Sequence, residues 1–235
     1  MKDNKIKIIF AALLIVLVII TMIIKGKDLI KMDNKLDNRD SIKFKEEYES
    51  LNNKDNGYGG KYLSIEINED NVIKYATFDE IIDLIDNGTG VIYFGFPECP
   101  WCRNAIPSLI EASDSTGLDT IYYFNAVDIR DQKVLDANGE IITKKEGTKE
   151  YKKLLKKLDK YLLPYDGLND ESIKRLYFPS VYFIKDGVVI GKHIDTVESH
   201  TDASKALNEK QKLELKTIYE EYIMDVLDSS CDKEC

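Results

Sequence analysis

The sequence has little cysteine, little histidine and no surplus of basic residues. Its 235 residues include four cysteines and two histidines, and its formal net charge at pH 7 is −9. Four cysteines are too few for a disulfide scaffold of this size. Without a basic surplus, the chain has no electrostatic basis for binding nucleic acid. Internal repeats and low-complexity tracts are also lacking, and the composition, 43% hydrophobic and 32% charged, is that of an ordinary globular protein.

Charge is also missing from one run near the N-terminus, which extends from Ile8 to Ile24. As a helix this run would be about 26 Å long, at the lower end of the range for a membrane span. The residues after it contain no small-x-small cleavage site and no nearby cysteine that could carry a lipid. We therefore expect residues 1–27 to be a retained anchor with one transmembrane helix, and not a cleaved signal peptide.

The anchor is followed by a polar stretch, residues 28–60, which predicts a spacer in which residues 41–51 could form a short helix. More basic residues follow the apolar run than precede it, and a simple count would place the domain in the cytosol. Long domains, however, cross membranes largely regardless of such charges. An anchor joined to a pair of nearby cysteines makes sense mainly outside the cytoplasm, so we expect a single-pass protein of the cell membrane with an extracytoplasmic domain.

Residues 61–228 alternate between strand and helix patterns, which indicates an α/β domain. Two apolar strands with a helix between them predict a parallel βαβ unit, and Asp186-Gly187 between two apolar runs predicts a hairpin. A long connection, residues 126–178, contains one predicted helix. We expect strands at 62–67, 91–96, 120–124, 180–184 and 188–191, and helices at 77–87, 103–112, 149–162 and about 215–226.

The most informative motif is Cys99-Pro100-Trp101-Cys102, a CxxC between the 91–96 strand and the following helix. At a helix N-terminus, unpaired N–H groups and the helix dipole stabilise a thiolate. The thiolate is the nucleophile of disulfide exchange. We therefore expect Cys99 to be an exposed nucleophile at the helix start and Cys102 to be the resolving thiol, one turn deeper.

Three motifs in this order of elements resemble the thioredoxin superfamily over about residues 61–227. They are the CxxC at a strand-to-helix turn, Pro107 five residues after the second cysteine, and Phe178-Pro179 before the hairpin. The resemblance implies a thioredoxin-like three-layer α/β/α sandwich with a mixed central sheet and a helical insertion before the cis-proline strand. It also implies that Pro179 is cis and turns the Phe178 backbone toward the cysteines, where a substrate segment could pair with it.

The run from Gly95 to Cys102 has the form G-x-P-x-C-P-x-C. In this it is similar to accessory disulfide oxidoreductases of bacteriocin maturation, among the membrane-anchored or exported thioredoxin-like proteins of Gram-positive bacteria. Two residues depart from relatives of this kind. Tyr93 stands where thioredoxins carry a buried aspartate, and a tyrosine with a pKa of about 10 cannot be the same base at neutral pH. Trp101 stands where bacterial dithiol oxidases carry a histidine, so the direction of electron flow stays open.

Together these features predict a membrane-tethered thiol–disulfide oxidoreductase. Its substrates would be exported cysteine-containing proteins or peptides, and a second redox protein would be its partner. The predicted chemistry needs no cofactor and no metal. Pro100, Trp101, Phe178 and Pro179 would contact the substrate, although Trp101 could instead simply pack on the helix.

The last residues, 229–235, form a tail with a second pair, Cys231 and Cys235. The pair could be a frayed end without a function, an intramolecular disulfide, or a secondary dithiol that relays electrons to Cys99 and Cys102.

Two other functions fit the sequence. The first is a non-catalytic thioredoxin-like module that holds its clients in a groove at Phe178 and Pro179. The second is a metal-binding protein in which the CxxC supplies two of four ligands. The other two ligands would then come from the cysteine pair of the tail or from His193 and His200.

Overall fold

The computed structural model describes residues 38–228. The predicted anchor and the Cys231/Cys235 tail lie outside these residues. None of the helices within them combines the length and the apolar character of a membrane span. The elements in chain order are α1 (Arg39–Glu49), β1 (Ile73–Tyr75), α2 (Phe78–Asn87), β2 (Gly90–Phe94), α3 (Pro100–Thr116), β3 (Ile121–Phe124), β4 (Gln132–Leu135), β5 (Ile141–Lys145), α4 (Lys149–Leu158), a 3₁₀ turn (Asp159–Tyr161), β6 (Leu163–Pro164), β7 (Lys174–Arg175), β8 (Ser180–Lys185), β9 (Val188–Ile194) and α5 (Glu209–Leu227).

A mixed sheet of five strands, in the order β1-β3-β2-β8-β9, forms the centre of the domain. β2 and β3 are parallel, with Val91 opposite Ile121, as the βαβ pattern predicts. β8 is antiparallel to both β2 and β9. Asp186 and Gly187 have positive φ angles of 49° and 73° in the turn between β8 and β9, as a two-residue hairpin turn requires. The predicted α/β class with a mixed central sheet is confirmed.

Helices cover both faces of this sheet, because successive side chains of a strand point to opposite sides. Val91 and Tyr93 of β2 belong to a buried cluster with residues of α1, α3 and α5. Ile92 and Phe94 belong to a second cluster with residues of α2 and α4. The start of α3 contributes to this second cluster as well, so the CxxC lies where the two clusters meet at one end of β2.

Capping residues set the ends of several helices. Thr77 and Glu80 form the predicted capping box of α2, in which the Glu80 carboxylate accepts the Thr77 N–H at 2.7 Å. α4 ends at Leu158 and continues only as the 3₁₀ turn, so the predicted helix over 149–162 is too long. Its apolar stripe is nevertheless buried, with Leu154 and Leu158 fully inaccessible.

Residues 41–60 belong to the folded domain, so the predicted spacer over 28–60 is wrong for this part. Phe44 and Tyr48 of α1 are 0% exposed and pack in the cluster that contains Tyr93. Burial of aromatic side chains of this size stabilises a domain by about 1.5–3 kcal/mol for each residue. A helix that contributes two of them is part of the core, and the domain therefore begins near Ser41, in contrast to the predicted start at residue 61.

The first predicted strand, over 62–67, does not form, and the sheet begins instead with β1. The backbone of this segment bonds to side chains. Asn52 accepts the Ile65 N–H at 3.0 Å and donates to the Ile65 carbonyl at 2.8 Å, and the Glu49 carboxylate accepts the Ile67 N–H at 2.7 Å. The apolar alternation that predicted a strand reflects an extended segment whose backbone partners are side chains.

The connection between β3 and β8 contains more structure than its one predicted helix. β4 and β5 form a small antiparallel pair, and β6 and β7 form another. We use the name insertion for residues 125–178.

Candidate active site

Cys99 is the N-cap of α3, and its sulfur accepts the backbone N–H of Cys102 at 3.2 Å. Pro100 occupies the first helical position, where its missing N–H leaves no bond unmade. On the other side, the Cys99 thiol donates to the carbonyl oxygen of Phe178 at 3.6 Å. The Phe178–Pro179 peptide bond is cis. The fold thus brings the CxxC together with the predicted substrate-binding backbone, 79 residues later in the chain.

The Cys99 side chain is not exposed as the sequence suggested, since only 5% of it is accessible. It lies in the wall of a cavity of about 760 Å³. The other walls come from residues 56–63 and from Ala203 and Ser204. Because these segments are far from the motif in sequence, their cover over the thiol could not be predicted.

The Cys102 thiol is completely buried and, like that of Cys99, is free. Burial raises its pKa well above the ordinary value, and the hydrogen bond with Cys99 and the charge of Cys99 raise it further. Hydrogen bonds from the Phe96 backbone and the Tyr93 hydroxyl act in the opposite direction. Cys102 is therefore the thiol that keeps its proton, as a resolving cysteine would until the first exchange step has occurred.

Tyr93 lies beneath Cys102, and its hydroxyl forms a hydrogen bond of 2.9 Å with the hydroxyl of Tyr48. Burial raises the pKa of both tyrosines well above the ordinary value, so both stay neutral. A methyl group at Gly95 would lie 2.2 Å from the Tyr93 hydroxyl oxygen. Glycine at position 95 therefore leaves the space that the Tyr93 ring occupies next to the Cys102 thiol.

Arg103 follows Cys102 directly and is 1% exposed. Its guanidinium donates to Leu63 O at 2.6 and 2.9 Å, to Tyr48 O at 2.8 Å, to Pro97 O at 3.2 Å and to Asn52 Oδ1 at 2.6 Å. Burial lowers its pKa, but a guanidinium stays charged in proteins. Arg103 therefore joins α3 to residues 48–63, part of which lines the cavity, and all of its side-chain hydrogen bonds within the described residues are with oxygens of the protein.

Arg130, in the insertion, lies on the opposite side of Cys99. Its guanidinium carbon is 5.2 Å from the ring centroid of Phe178 and 6.0 Å from that of Phe96. Burial and the neighbouring Arg175 lower its pKa, and the charge of Cys99 raises it.

Trp101 is half-buried and meets the ring of His200 edge-on, with 5.2 Å between the centroids. The loop that holds His200 is tied to α3 by Asn104, which donates to Ala203 O and accepts the Leu207 N–H, both at 3.1 Å. The indole therefore packs partly on this loop, and the rest of its surface faces solvent beside the exposed Pro100.

The other predicted residues are placed as follows. Phe178 and Pro179 are buried, so a substrate would meet the Phe178 backbone and not its side chain. Within residues 38–228, no three or more histidine, cysteine or acidic side chains are grouped so that they could hold a metal ion. His193 and His200, one of the two ligand pairs predicted for such a site, are among the residues searched, and the other pair, Cys231 and Cys235, lies outside them.

Sequence reasoning missed four residues in and around this site. Arg103 precedes Ile106 by three residues and Ile110 by seven, so helical spacing places it in the apolar stripe of α3, and this signal could have revealed its burial. Phe44 and Tyr48 have the i, i+4 spacing of a buried pair. Arg130 has no sequence signal, because only the folding of the insertion brings it to Cys99.

No protein-family model matches the chain, and no curated protein matches it significantly. The chemistry of the site is therefore argued from its geometry. The Cys99 sulfur caps α3, the buried Cys102 thiol lies one turn away, and the Phe178 carbonyl faces Cys99. This arrangement is suited to the making and breaking of a disulfide.

Proposed function

We propose that this protein is a membrane-tethered thiol–disulfide oxidoreductase with a thioredoxin-like fold. One observation carries the proposal. The Cys99 sulfur accepts the Cys102 N–H at 3.2 Å and lies 3.6 Å from the Phe178 carbonyl, next to a cis-proline. This arrangement supports the proposal, because two thiols and a backbone carbonyl lie within one small region, as a nucleophile, a resolving thiol and a substrate-binding edge would require.

The reaction has two exchange steps. In the first, the Cys99 thiolate attacks one sulfur of a substrate disulfide, a Cys99–substrate disulfide forms, and the other substrate sulfur leaves as a thiolate. In the second, the Cys102 thiolate attacks the Cys99 sulfur, and the second substrate thiolate leaves. The substrate gains two electrons and, with protons from the thiols, becomes a dithiol, while Cys99 and Cys102 become a disulfide. The same steps in reverse oxidise a substrate dithiol.

The second step requires Cys102 to lose a proton that its buried position retains. Tyr93 supports this step because its hydroxyl donates a hydrogen bond that favours the thiolate. The high pKa of Tyr93 excludes it as a base at neutral pH. It stabilises the ionised sulfur, and the departing substrate thiolate can accept the proton.

Substrate would enter along the cavity that contains Cys99. The cavity wall includes the apolar and aromatic side chains of Tyr58, Tyr62, Leu63, Phe96 and Pro100. An extended peptide in this cavity could reach the Phe178 backbone and pair with it by β-strand addition. The 5% exposure of Cys99 means that only a flexible segment, and not a rigid folded surface, reaches the sulfur.

The thioredoxin-like fold is supported by the order of the strands. β2 and β3 flank the CxxC helix and are parallel, and an antiparallel hairpin follows the cis-proline. Residues 41–60 and the insertion are additions to the elements that the resemblance implies.

The tether and its orientation are part of the proposal and rest on the run from Ile8 to Ile24 and on the dithiol itself. A membrane-impermeant maleimide applied to intact cells tests the orientation. Labelling of Cys99 after mild reduction supports an extracytoplasmic domain. Labelling that requires lysed cells contradicts it.

A thiol-exchange assay with a peptide disulfide tests the activity. Cys99→Ser is expected to abolish exchange, and Cys102→Ser to stop it after the first step, with a trapped mixed disulfide at Cys99. The matched control is the Cys231→Ser/Cys235→Ser variant, which removes two thiols and keeps the CxxC. Full activity in both CxxC variants would refute the proposal.

The burial of Cys99 favours a second candidate, a client-binding module without turnover. In that case Cys102→Ser would capture no mixed disulfide, while clients would still bind the wild-type protein. If exchange occurs, the reduction potential of the Cys99–Cys102 pair gives its direction. Known dithiol proteins range from about −270 mV to about −120 mV. A value near −270 mV indicates a reductant, and one near −120 mV indicates an oxidant.

A further inference from the structure

A second cavity, of about 500 Å³, lies in the insertion and shares Arg130 with the surroundings of Cys99. It is formed by the ends of β4 and β5 and by the segments around β6 and β7. Its four cationic side chains are those of Arg130, Lys133, Lys145 and Arg175, and its two anionic side chains are those of Asp131 and Asp166. A local positive surplus is unusual in a chain with a net charge of −9.

The two lysines of this cavity already have partners. Lys133 lies 3.8 Å from the Asp131 carboxylate and donates to Thr143 Oγ1 at 3.1 Å. Lys145 donates to the Asp128 carbonyl at 2.6 Å. Asp166 is exposed at the rim. Asp131 Oδ1 is buried without a hydrogen-bond partner, so neither carboxylate of the cavity forms an ion pair with the two arginines.

Arg130 and Arg175 form neither an ion pair nor a side-chain hydrogen bond with any residue between 38 and 228. Arg130 contacts the rings of Phe96 and Phe178, and Arg175 lies 4.2 Å from the ring centroid of Tyr165. The Nε atom of Arg175 is buried without a partner. Burial and, after it, the charge of Arg175 lower the pKa of Arg130, as expected for two guanidiniums that lie in one cavity.

Two like charges that share a cavity, one of them with a buried unpaired N–H, are stabilised when an anion lies between them. A carboxylate suits this arrangement best, since a guanidinium binds it with two parallel hydrogen bonds. Phosphate would be held as well, but a polypeptide substrate at Cys99 supplies carboxylates. Because Phe178 contacts both Cys99 and Arg130, the second cavity is next to the path of such a substrate.

We propose that Arg130 and Arg175 bind a carboxylate of the substrate polypeptide, a few residues from the cysteine that reacts with Cys99. The inference rests on the proposed function and adds a substrate class to it, cysteine-containing segments with a nearby acidic group. The residues around the reactive cysteine of the substrate would bind in the apolar cavity next to Cys99, and the acidic group would bind in the second cavity.

The test compares peptide disulfides that differ in one residue. One contains a glutamate three residues from the reactive cysteine, the second contains glutamine there, and both have amidated C-termini. A third, with glutamine and a free C-terminus, separates a terminal carboxylate from a side-chain carboxylate. The readout is the ratio of kcat/KM for each acidic peptide to that for the neutral peptide, because a change in the reactivity of Cys99 itself cancels in this ratio.

We expect a ratio of about ten for the wild-type protein with at least one acidic peptide, the effect of one charge-assisted hydrogen bond. Arg175→Gln should reduce the ratio, and Arg130→Gln/Arg175→Gln should bring it to about one. Lys212→Gln removes the same charge from α5, lines neither cavity and should leave the ratio unchanged. Higher salt should reduce the wild-type ratio.

A wild-type ratio of one with both acidic peptides, or a ratio that survives in the double variant, would overturn the carboxylate site. Exchange with the neutral peptide would still support the oxidoreductase. If no peptide is exchanged, the proposed function fails, and the site is then tested by binding. The only tryptophan of the chain, Trp101, lies next to Cys99. Its fluorescence should then report tighter binding of the acidic than of the neutral peptide in the wild-type protein alone, and equal affinities would overturn the site.

Discussion

Two regions far apart in sequence meet the CxxC from opposite sides, and each does so through an arginine. Residues 41–67 surround Arg103, whose guanidinium donates to the carbonyls of Leu63, Tyr48 and Pro97 and to Asn52. The insertion supplies Arg130, which contacts two aromatic rings and no acceptor within the described residues. Proximity to the cysteines and positive charge are common to both arginines. The two differ in their hydrogen-bond partners, and on this difference rests the proposal that Arg103 stabilises the site and Arg130 binds a ligand.

The largest effect is expected for Arg103→Leu, which leaves several carbonyls without donors in a dry site. We expect it to lower the free energy of unfolding by about 3–5 kcal/mol, measured by urea denaturation. Arg103→Lys keeps the charge but cannot reach all of these carbonyls, so it should restore only part of the loss. A change below about 1 kcal/mol for Arg103→Leu would remove the distinction between the two arginines.

Tyr93→Phe tests the hydroxyl pair of Tyr93 and Tyr48, by which residues 41–67 reach the surroundings of Cys102. It removes a hydrogen bond that lowers the pKa of Cys102, so that pKa rises further. The second exchange step should then be several-fold slower at neutral pH, and its rate should increase up to a higher pH than in the wild-type protein. The unpaired Tyr48 hydroxyl should cost about 1–3 kcal/mol of stability.

Stopped-flow measurement of the decay of the mixed disulfide across pH checks this expectation. Tyr48→Phe is the matched control, because it breaks the same hydroxyl pair and leaves the Tyr93 hydroxyl beside the thiol. If both variants slow the step equally, the role of Tyr93 is structural only.

Arg130→Leu tests the contrast between the two arginines at the insertion. Its contacts with Phe96 and Phe178 are cation–π contacts of about 0.5–1 kcal/mol each at most. The free energy of unfolding should therefore fall by no more than about 2 kcal/mol, while the kcat/KM ratio of the acidic to the neutral peptide should fall several-fold. A stability loss as large as that of Arg103→Leu, with an unchanged peptide ratio, would make the two regions equivalent.

The smallest effect concerns pH and residue Glu49. Burial raises the pKa of this carboxyl, but hydrogen bonds from Lys45 and the Ile67 N–H outweigh burial and lower it below its usual value of 4.5. A lowered folded-state pKa contributes stability above the unfolded value, and this contribution disappears as the pH falls through the folded value. Glu49→Gln should therefore flatten the loss of stability below about pH 4.5, the unfolded value, in urea titrations. An unchanged slope would show that Glu49 does not hold residues 62–67.

The sequence was sufficient for the parts of the fold in which the partners of a residue are local or repeat with a regular period. The hairpin at Asp186 and Gly187, the capping box of α2 and the parallel pairing around α3 belong to this group, and the observed cis bond before Pro179 agrees with the resemblance. Residues 62–67 show where this reasoning fails. Their alternation is that of a strand, but Asn52 and Glu49 bind their backbone before any strand can pair with it.

The site divides in the same way. The roles proposed for Cys99 and Cys102 rest on their positions at the start of a helix, which the spacing of the motif predicts. Their different burial does not, because the cover over Cys99 comes from residues 56–63 and 203–204. Arg130 reaches the site only through the path of the insertion, which contains no periodic pattern that would predict its course.

The burial of α1 also determines how far the active site can be separated from its own chain. Residues 61–228 contain the Cys99 and Cys102 thiols, the cis-proline and every strand of the central sheet. Without α1, however, the Tyr93 hydroxyl beneath Cys102 would lose its partner, and Arg103 would lose the Tyr48 carbonyl. Cleavage of the chain between α1 and residue 61, followed by loss of α1, would leave the motif intact in sequence and change the chemistry of its second cysteine.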